Sequence, residues 1–233
     1  MSALAHKLEA KGFATVALAL VRVQAEKTRP PRAVWTSAPL GRPVGEPGDR
    51  EFQLRLLRHA LKLLERTDGP VILEDFPEDP PSLTDAPGWT APTLTAATFA
   101  EELAEAMPLW QEARRRFGRT SVGLSLQSPD AWPGFVADVL AGGLPVVPGL
   151  DTSALSVRFL CDDIKAFYGE AAQAVGPAPS HMQVDTWFWG ATRAAAALRA
   201  LRAVAMASEN NALKTVGGRF FVPGPWVMEP SAP

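Results

Sequence analysis

The groups in this sequence that could do chemistry are one cysteine, three histidines and a few acids and arginines near element ends. A thiol acts as a nucleophile only as thiolate, which needs an electropositive, accessible setting. Cys161 has Leu160 on one side and Asp162 and Asp163 on the other, so it is expected to be a buried apolar group with a raised pKa. His6, His59 and His181 fall in three different elements, and no Cys-x-x-Cys or His-x-x-x-His spacing brings metal ligands together. His59, among arginines and leucines, reads as exposed. His181 precedes Trp187-Phe-Trp189 and could serve as a general base in a Trp-walled pocket, although a surface or capping role is the ordinary reading. Glu74 and Asp75 end an apolar run. In a strand they point to opposite faces, so they cannot act as a pair, but a single carboxylate at a strand end can be catalytic. Arg42 lies in the loop Pro39-Leu-Gly-Arg-Pro-Val-Gly-Glu-Pro-Gly48. That loop lacks the Gly-Lys-Ser/Thr ending of a P-loop, and no serine sits in a Gly-x-Ser-x-Gly elbow. The candidate substrate-binding residues are therefore Arg42, Glu74, His181 and Trp187. No catalytic residue is assigned, and neither a metal nor a cofactor is expected.

These residues need elements to hold them. Residues 2–11 predict a helix stopped at Gly12. Phe13–Leu20 is a short, continuous apolar run of the kind buried on both faces of a parallel sheet. A short piece at 22–28 and a second strand at 33–37 follow. Asp49 caps an amphipathic helix over about 50–66, with Phe52, Leu56, Leu57, Ala60, Leu61 and Leu64 on its apolar face. A third strand lies within 69–76. The loop at 39–48 ends the second strand, where ligands sit in open α/β sheets, so it is a candidate site wall. Beyond a Pro-rich connection the pattern turns helical, with helices over 96–116, 130–141, 152–174 and 182–207 and a last turn near 209–216. The fold class predicted is α/β: a Rossmann-like partial parallel sheet at the N-terminus followed by a mostly helical region. The expected organisation is an α/β region at 1–77, a linker at 78–95, a helical region at 96–223 and a tail at 224–233.

Composition narrows the classes. The 233 residues are 47 % apolar and 21 % charged, with net charge −2, the balance of an ordinary globular chain. No basic stripe suits nucleic acid; Arg114-Arg-Arg116 reads as the end of a helix complementing its dipole. No apolar run approaches the roughly 20 residues of a membrane span. His6, Lys7, Glu9 and Lys11 interrupt any signal-peptide core. With one cysteine, a reducing, cytoplasmic setting is expected.

Leu8-Glu-Ala-Lys-Gly-Phe-Ala-Thr-Val16, Pro30-Pro-Arg-Ala-Val34 and Pro39-Leu-Gly-Arg-Pro-Val-Gly-Glu-Pro47 together resemble the glycine/sarcosine/betaine reductase selenoprotein B family. Gly69-Pro-Val-Ile-Leu-Glu-Asp-Phe-Pro77, Asp162-Asp-Ile-Lys-Ala-Phe-Tyr168 and Trp187-Phe-Trp-Gly190 are similar to a branch of selenoprotein B-like proteins. The resemblance implies an α/β fold and thiol- or selenol-dependent reductive cleavage of a small substrate between carbon and a heteroatom. In that family the reactive Cys or Sec lies just before the helix that opens this chain, and no residue here matches that motif. Cys161 lies in the wrong element to replace it. The resemblance thus implies a subunit of a reductase complex whose reactive Cys or Sec sits on a partner chain. The alternative is a non-catalytic binding or scaffolding protein that kept the fold. A lesser third reading is an unrelated enzyme using acids such as Glu74.

Overall fold

The computed structural model describes residues 2–39, 42–45, 48–80 and 85–227. Parts of the 39–48 loop, of the Pro-rich connection and of the tail lie outside the described residues. The chain divides into two compact units, residues 1–85 and 86–233. Among the described residues no helix is long and apolar enough to cross a membrane.

The first unit is a three-stranded parallel sheet with helices between its strands. Its order is α1 (Ser2–Glu9), β1 (Ala17–Ala19), α2 (Arg22–Thr28), β2 (Arg32–Trp35), α3 (Arg50–Lys62) and β3 (Ile72–Asp75). The strands lie side by side as β1-β2-β3, with Leu18 opposite Val34 and Val34 opposite Glu74. Parallel neighbours require crossover connections, which α2 and α3 supply. Asp49 starts α3 by accepting the Phe52 N–H at 3.1 Å. From there Phe52, Leu56 and Ala60, one turn apart, bury themselves against Val34, Ile72 and Phe76. Phe52 and Phe76 meet edge to face at 5.6 Å. The turn before α3 must be tight: a Cβ on Gly45, at φ +80°, would stand 2.7 Å from the Phe52 ring.

The expectation that the first strand is buried on both faces is corrected here. β1 is only half-buried along its length, because it is the edge of the sheet. Its apolar run looks central because alanines occupy the face away from α3, and alanine leaves room without adding polarity.

The second unit is helical. It contains α4 (Phe99–Phe117), α5 (Trp132–Leu140), α6 (Ser153–Ala171), α7 (His181–Ala191), α8 (Arg193–Ala207) and α9 (Asn211–Val216), then a π-helical turn over Gly217–Phe221. Polar caps set the helix starts. Thr98 and Glu101 form a capping box on α4, and Ser180 and Gln183 another on α7. Thr152 caps α6. The core centres on α6, whose Val157, Leu160, Ile164, Phe167 and Tyr168 are buried among α4, α5, α7 and α8 residues. Phe167 touches the rings of Trp110 and Trp132 at 5.0 and 5.7 Å. Gly217 lets the π-turn close on α8, since a Cβ there would lie 2.5 Å from that of Ala205.

The single helix expected over 182–207 is two helices. Thr192 is extended (φ −99°, ψ 147°) and caps α8 by accepting the Ala195 N–H at 3.1 Å. Its own hydroxyl donates to the Phe188 carbonyl at 2.8 Å. Residues 86–95 pack on the helical unit: the Trp89 indole donates to the Ala172 carbonyl at 3.0 Å, and the Ala86 N–H to Gln183 at 2.9 Å.

Candidate functional site

The carboxyl ends of the parallel strands are where an α/β sheet of this kind offers a site. In this unit a set of ion pairs involves the strand ends and the segment that leads into β3. Glu74 leaves β3 toward the α3 face. One of its oxygens accepts from Arg66 and the other lies 3.4 Å from His59 Nε2. Arg66 also holds Asp68, whose carboxyl is kept down at about 2, first by that guanidinium. Asp75 points to the opposite face and accepts from Arg22 Nε at 3.1 Å, as alternation along a strand requires. Beside them Ser37 donates to Asp79, and Arg55 grips Glu78 through two nitrogens.

His59 is therefore half-buried rather than exposed. It stacks on Phe76 at 5.5 Å while facing Glu74. It lies beside the buried Leu56, Ala60 and Leu63, whereas Leu57 and Leu61, expected on the same apolar face, are exposed. Arg42 is exposed, its backbone N–H bonded to the Pro39 carbonyl at 3.0 Å and its carbonyl accepting from Gly45.

An open space of this unit lies along β1. A cleft of about 550 Å³ is lined by Ser2, Ala3 and His6 of α1, by residues 17–21, and by Gln24, Ala25 and Thr28 of α2. Its wall is mostly apolar with a few polar groups, the usual make-up of a binding cleft.

The other two candidate residues lie in the helical unit, both on α7. His181 is exposed, with Nε2 3.2 Å from Asp185 Oδ2 one turn on. Burial lifts the Asp185 carboxyl above its ordinary range, and the facing His181 only partly offsets this. Trp187 is buried and its indole donates to the Pro92 carbonyl at 3.0 Å. His181 and Trp187 thus share a helix but not a surface: one faces solvent and the other the core. Cys161 is fully buried on α6. Burial pushes its thiol far up, and the nearby Lys165 opposes this only weakly. Among the described residues no group of three or more His, Cys, Asp or Glu is placed to hold a metal ion.

Two acids that composition does not single out prove to be fully buried. Glu102 accepts the Arg193 and Ala194 N–H groups at 2.7 and 2.9 Å and bonds the Tyr168 hydroxyl at 2.9 Å. It thereby closes the start of α8, where a negative charge is favoured. Asp163 accepts the N–H groups of Gly123, Leu124 and Ser125 at 2.9–3.0 Å and the Ser125 hydroxyl at 2.6 Å. Both are structural clamps with their oxygens occupied. No sequence signal marks them, because their partners are backbone groups far along the chain. No family model, curated protein or solved structure matches the chain.

Proposed function

We propose that this chain is the non-nucleophilic subunit of a thiol-dependent, selenoprotein B-like reductase, with a Rossmann-like sheet unit that works beside a Cys- or Sec-bearing partner. In such a reaction the carbon–heteroatom bond of a small substrate breaks. Two thiols, or a thiol and a selenol, supply two electrons and two protons and end as a disulfide or selenenylsulfide. One observation carries the reading: the chain's single cysteine is fully buried with its thiol pKa driven up. A chain that resembles a thiol-dependent enzyme and has no reachable thiolate must receive one from elsewhere. The cleft along β1, with Arg42 and Glu74 in the same unit, is the place this reading assigns to substrate and partner. The setting proposed is cytoplasmic, where thiols stay reduced.

The test is reconstitution with the Cys- or Sec-containing chain encoded beside it. The expected result is a stable complex that oxidises a dithiol only when substrate is present. Alkylating the partner abolishes turnover, and Cys161→Ser in this chain leaves it unchanged. Turnover by this chain alone, or loss of turnover in a folded Cys161→Ser variant, overturns the proposal.

A further inference from the structure

The β1 edge and its cleft carry an inference about how a partner is held. β1 is the outer strand of the sheet. The Thr36 N–H donates to the Ala19 carbonyl at 3.0 Å, so the polar groups of Ala19 turn toward β2. By the two-residue repeat of a strand, the backbone groups of Leu18, the middle residue of β1, turn the other way, to the free edge. Five consecutive residues, 17 to 21, line the cleft. Consecutive residues alternate between the two faces of a strand, so the cleft wall is the strand's own main chain rather than one row of side chains. An unpaired main-chain edge is a template for another strand.

The segment around this edge is net basic. Residues 2–30 hold five basic groups (Lys7, Lys11, Arg22, Lys27, Arg29) against two acids, Glu9 and Glu26, a net of +3. Both acids are already taken, Glu9 by Arg32 and Glu26 by Arg22. Lys7, Lys27 and Arg29 adjoin the cleft residues His6, Thr28 and Pro30 in sequence and make no ion pair among the described residues. Exposed Leu4, Phe13, Val21 and Val23 add apolar surface in the same segment.

We propose that the free edge of β1 takes up an extended, acidic segment of a partner chain, which adds to the sheet as a fourth strand along the α1–β1–α2 cleft. Main-chain hydrogen bonds at Leu18 supply the pairing, and the unpaired lysines and Arg29 select an acidic sequence. Only the identity of the partner, the thiol-bearing chain, rests on the function proposed above.

The probe is a short capped peptide of alternating glutamate and valine, titrated into the full chain while backbone amides are followed by NMR. The expected result is binding with shifts centred on residues 17–21. The same peptide with lysine in place of glutamate, or N-methylated on its pairing edge, should bind at least about tenfold more weakly. Leu18→Pro removes the outward N–H at a position where an edge strand tolerates proline, and should abolish binding. Because Leu18 also packs on the core, Ala3→Trp is the second variant: Ala3 is exposed on α1 and lines the cleft, and the larger ring blocks the cleft while every sheet residue is left in place. No binding of the acidic peptide, or binding unchanged in Ala3→Trp, overturns the proposal. Self-association lost in Leu18→Pro would assign the edge to a second copy and overturn it as well. A complex with the thiol-bearing chain that leaves the β1 amides unprotected also overturns it, while the proposed function stands. Peptide binding at β1 without any such complex upholds the strand site and removes only the partner's identity.

Discussion

Both units carry surface ion pairs, such as Glu112 with Arg115 in the helical unit and Arg55 with Glu78 in the sheet unit, but among the described residues only the helical unit also buries acids. The helical unit buries acids outright: Glu102 and Asp163 are about as inaccessible as the leucines around them, and each is neutralised by backbone N–H groups rather than by an arginine. The sheet unit keeps its acids at the surface in pairs with arginines, at side-chain exposures such as 41 % and 34 % for Arg66 and Glu74. A large core can supply pre-ordered dipoles that replace water around a carboxylate. A thin core built on Phe52, Leu56, Ile72 and Phe76 has no such interior. The difference locates rigidity in one unit and adaptable, solvent-facing charge in the other, and it is the second that holds the strand ends, the cleft and the open edge.

The sharpest way to break this comparison is to remove a buried acid. Glu102→Ala leaves two N–H groups and the Tyr168 hydroxyl without an acceptor, and Asp163→Ala strands three N–H groups and a hydroxyl. Each should cost about 3–5 kcal/mol. Urea unfolding followed by tryptophan fluorescence reads this directly, since every tryptophan except Trp35 lies in the helical unit. A loss no larger than that of a surface substitution would mean that water replaces the carboxylate, and the contrast between units would collapse.

Next is the independence of the two cores. Leu56→Ala deletes a fully buried side chain of the sheet unit and should cost about 2–5 kcal/mol. Hydrogen exchange should then lose protection across residues 2–80 while α6 and α8 stay protected. Loss of protection in both units together would show that they unfold as one.

Helix ends were legible where a capping residue preceded an apolar stripe, as at Asp49 and Thr152, because capping is local chemistry written in local sequence. The three strands were legible as short apolar runs, but their order was not. Periodicity does not tell an edge strand from a central one, so the half-exposure of β1 and its cleft stayed hidden. The break at Thr192 was hidden too: Gly190 stands two residues before it, but an alanine-rich stripe resumes at once with no proline, and the start of α8 is completed by Glu102, some ninety residues away. Of the candidate residues, Glu74 was readable as a strand-end acid, but its partners Arg66 and His59 come from the end of α3 and the turn beyond it. Trp187 was visible as an aromatic, and only packing decides whether an aromatic lines a pocket or fills a core.

A smaller effect is expected at Glu74. Glu74→Gln keeps the shape and removes the charge from a half-exposed cluster, and exposed pairs of this kind contribute little because solvent screens them. The unfolding midpoint should not move measurably. A clear drop would place Glu74 with the buried acids instead.

The smallest effect is the most diagnostic, because its sign differs between Glu9 in the sheet unit and Asp185 in the helical unit. In the sheet unit desolvation pushes Glu9 up, but hydrogen bonds from the Thr15 N–H and hydroxyl and from Arg32 outweigh it, so its carboxyl sits below the ordinary 4.5. The unfolded chain therefore binds the proton first as pH falls below 4.5. The stability Glu9 contributes is fully present above that pH and is lost as pH drops through its folded value. In the helical unit burial lifts Asp185 above its ordinary 3.8, with His181 only partly opposing. There the folded state holds the proton longer, so stability falls as pH rises from 3.8 through the folded value. Hydrogen exchange on a pH series from about 3 to 7, read as the difference between the unaltered chain and each variant, should show the two contributions moving in opposite directions. Glu9→Gln should flatten the first trend and Asp185→Asn the second. If the two substitutions change the pH trend with the same sign, the opposition between hydrogen-bonded and desolvated acids is wrong at these two positions.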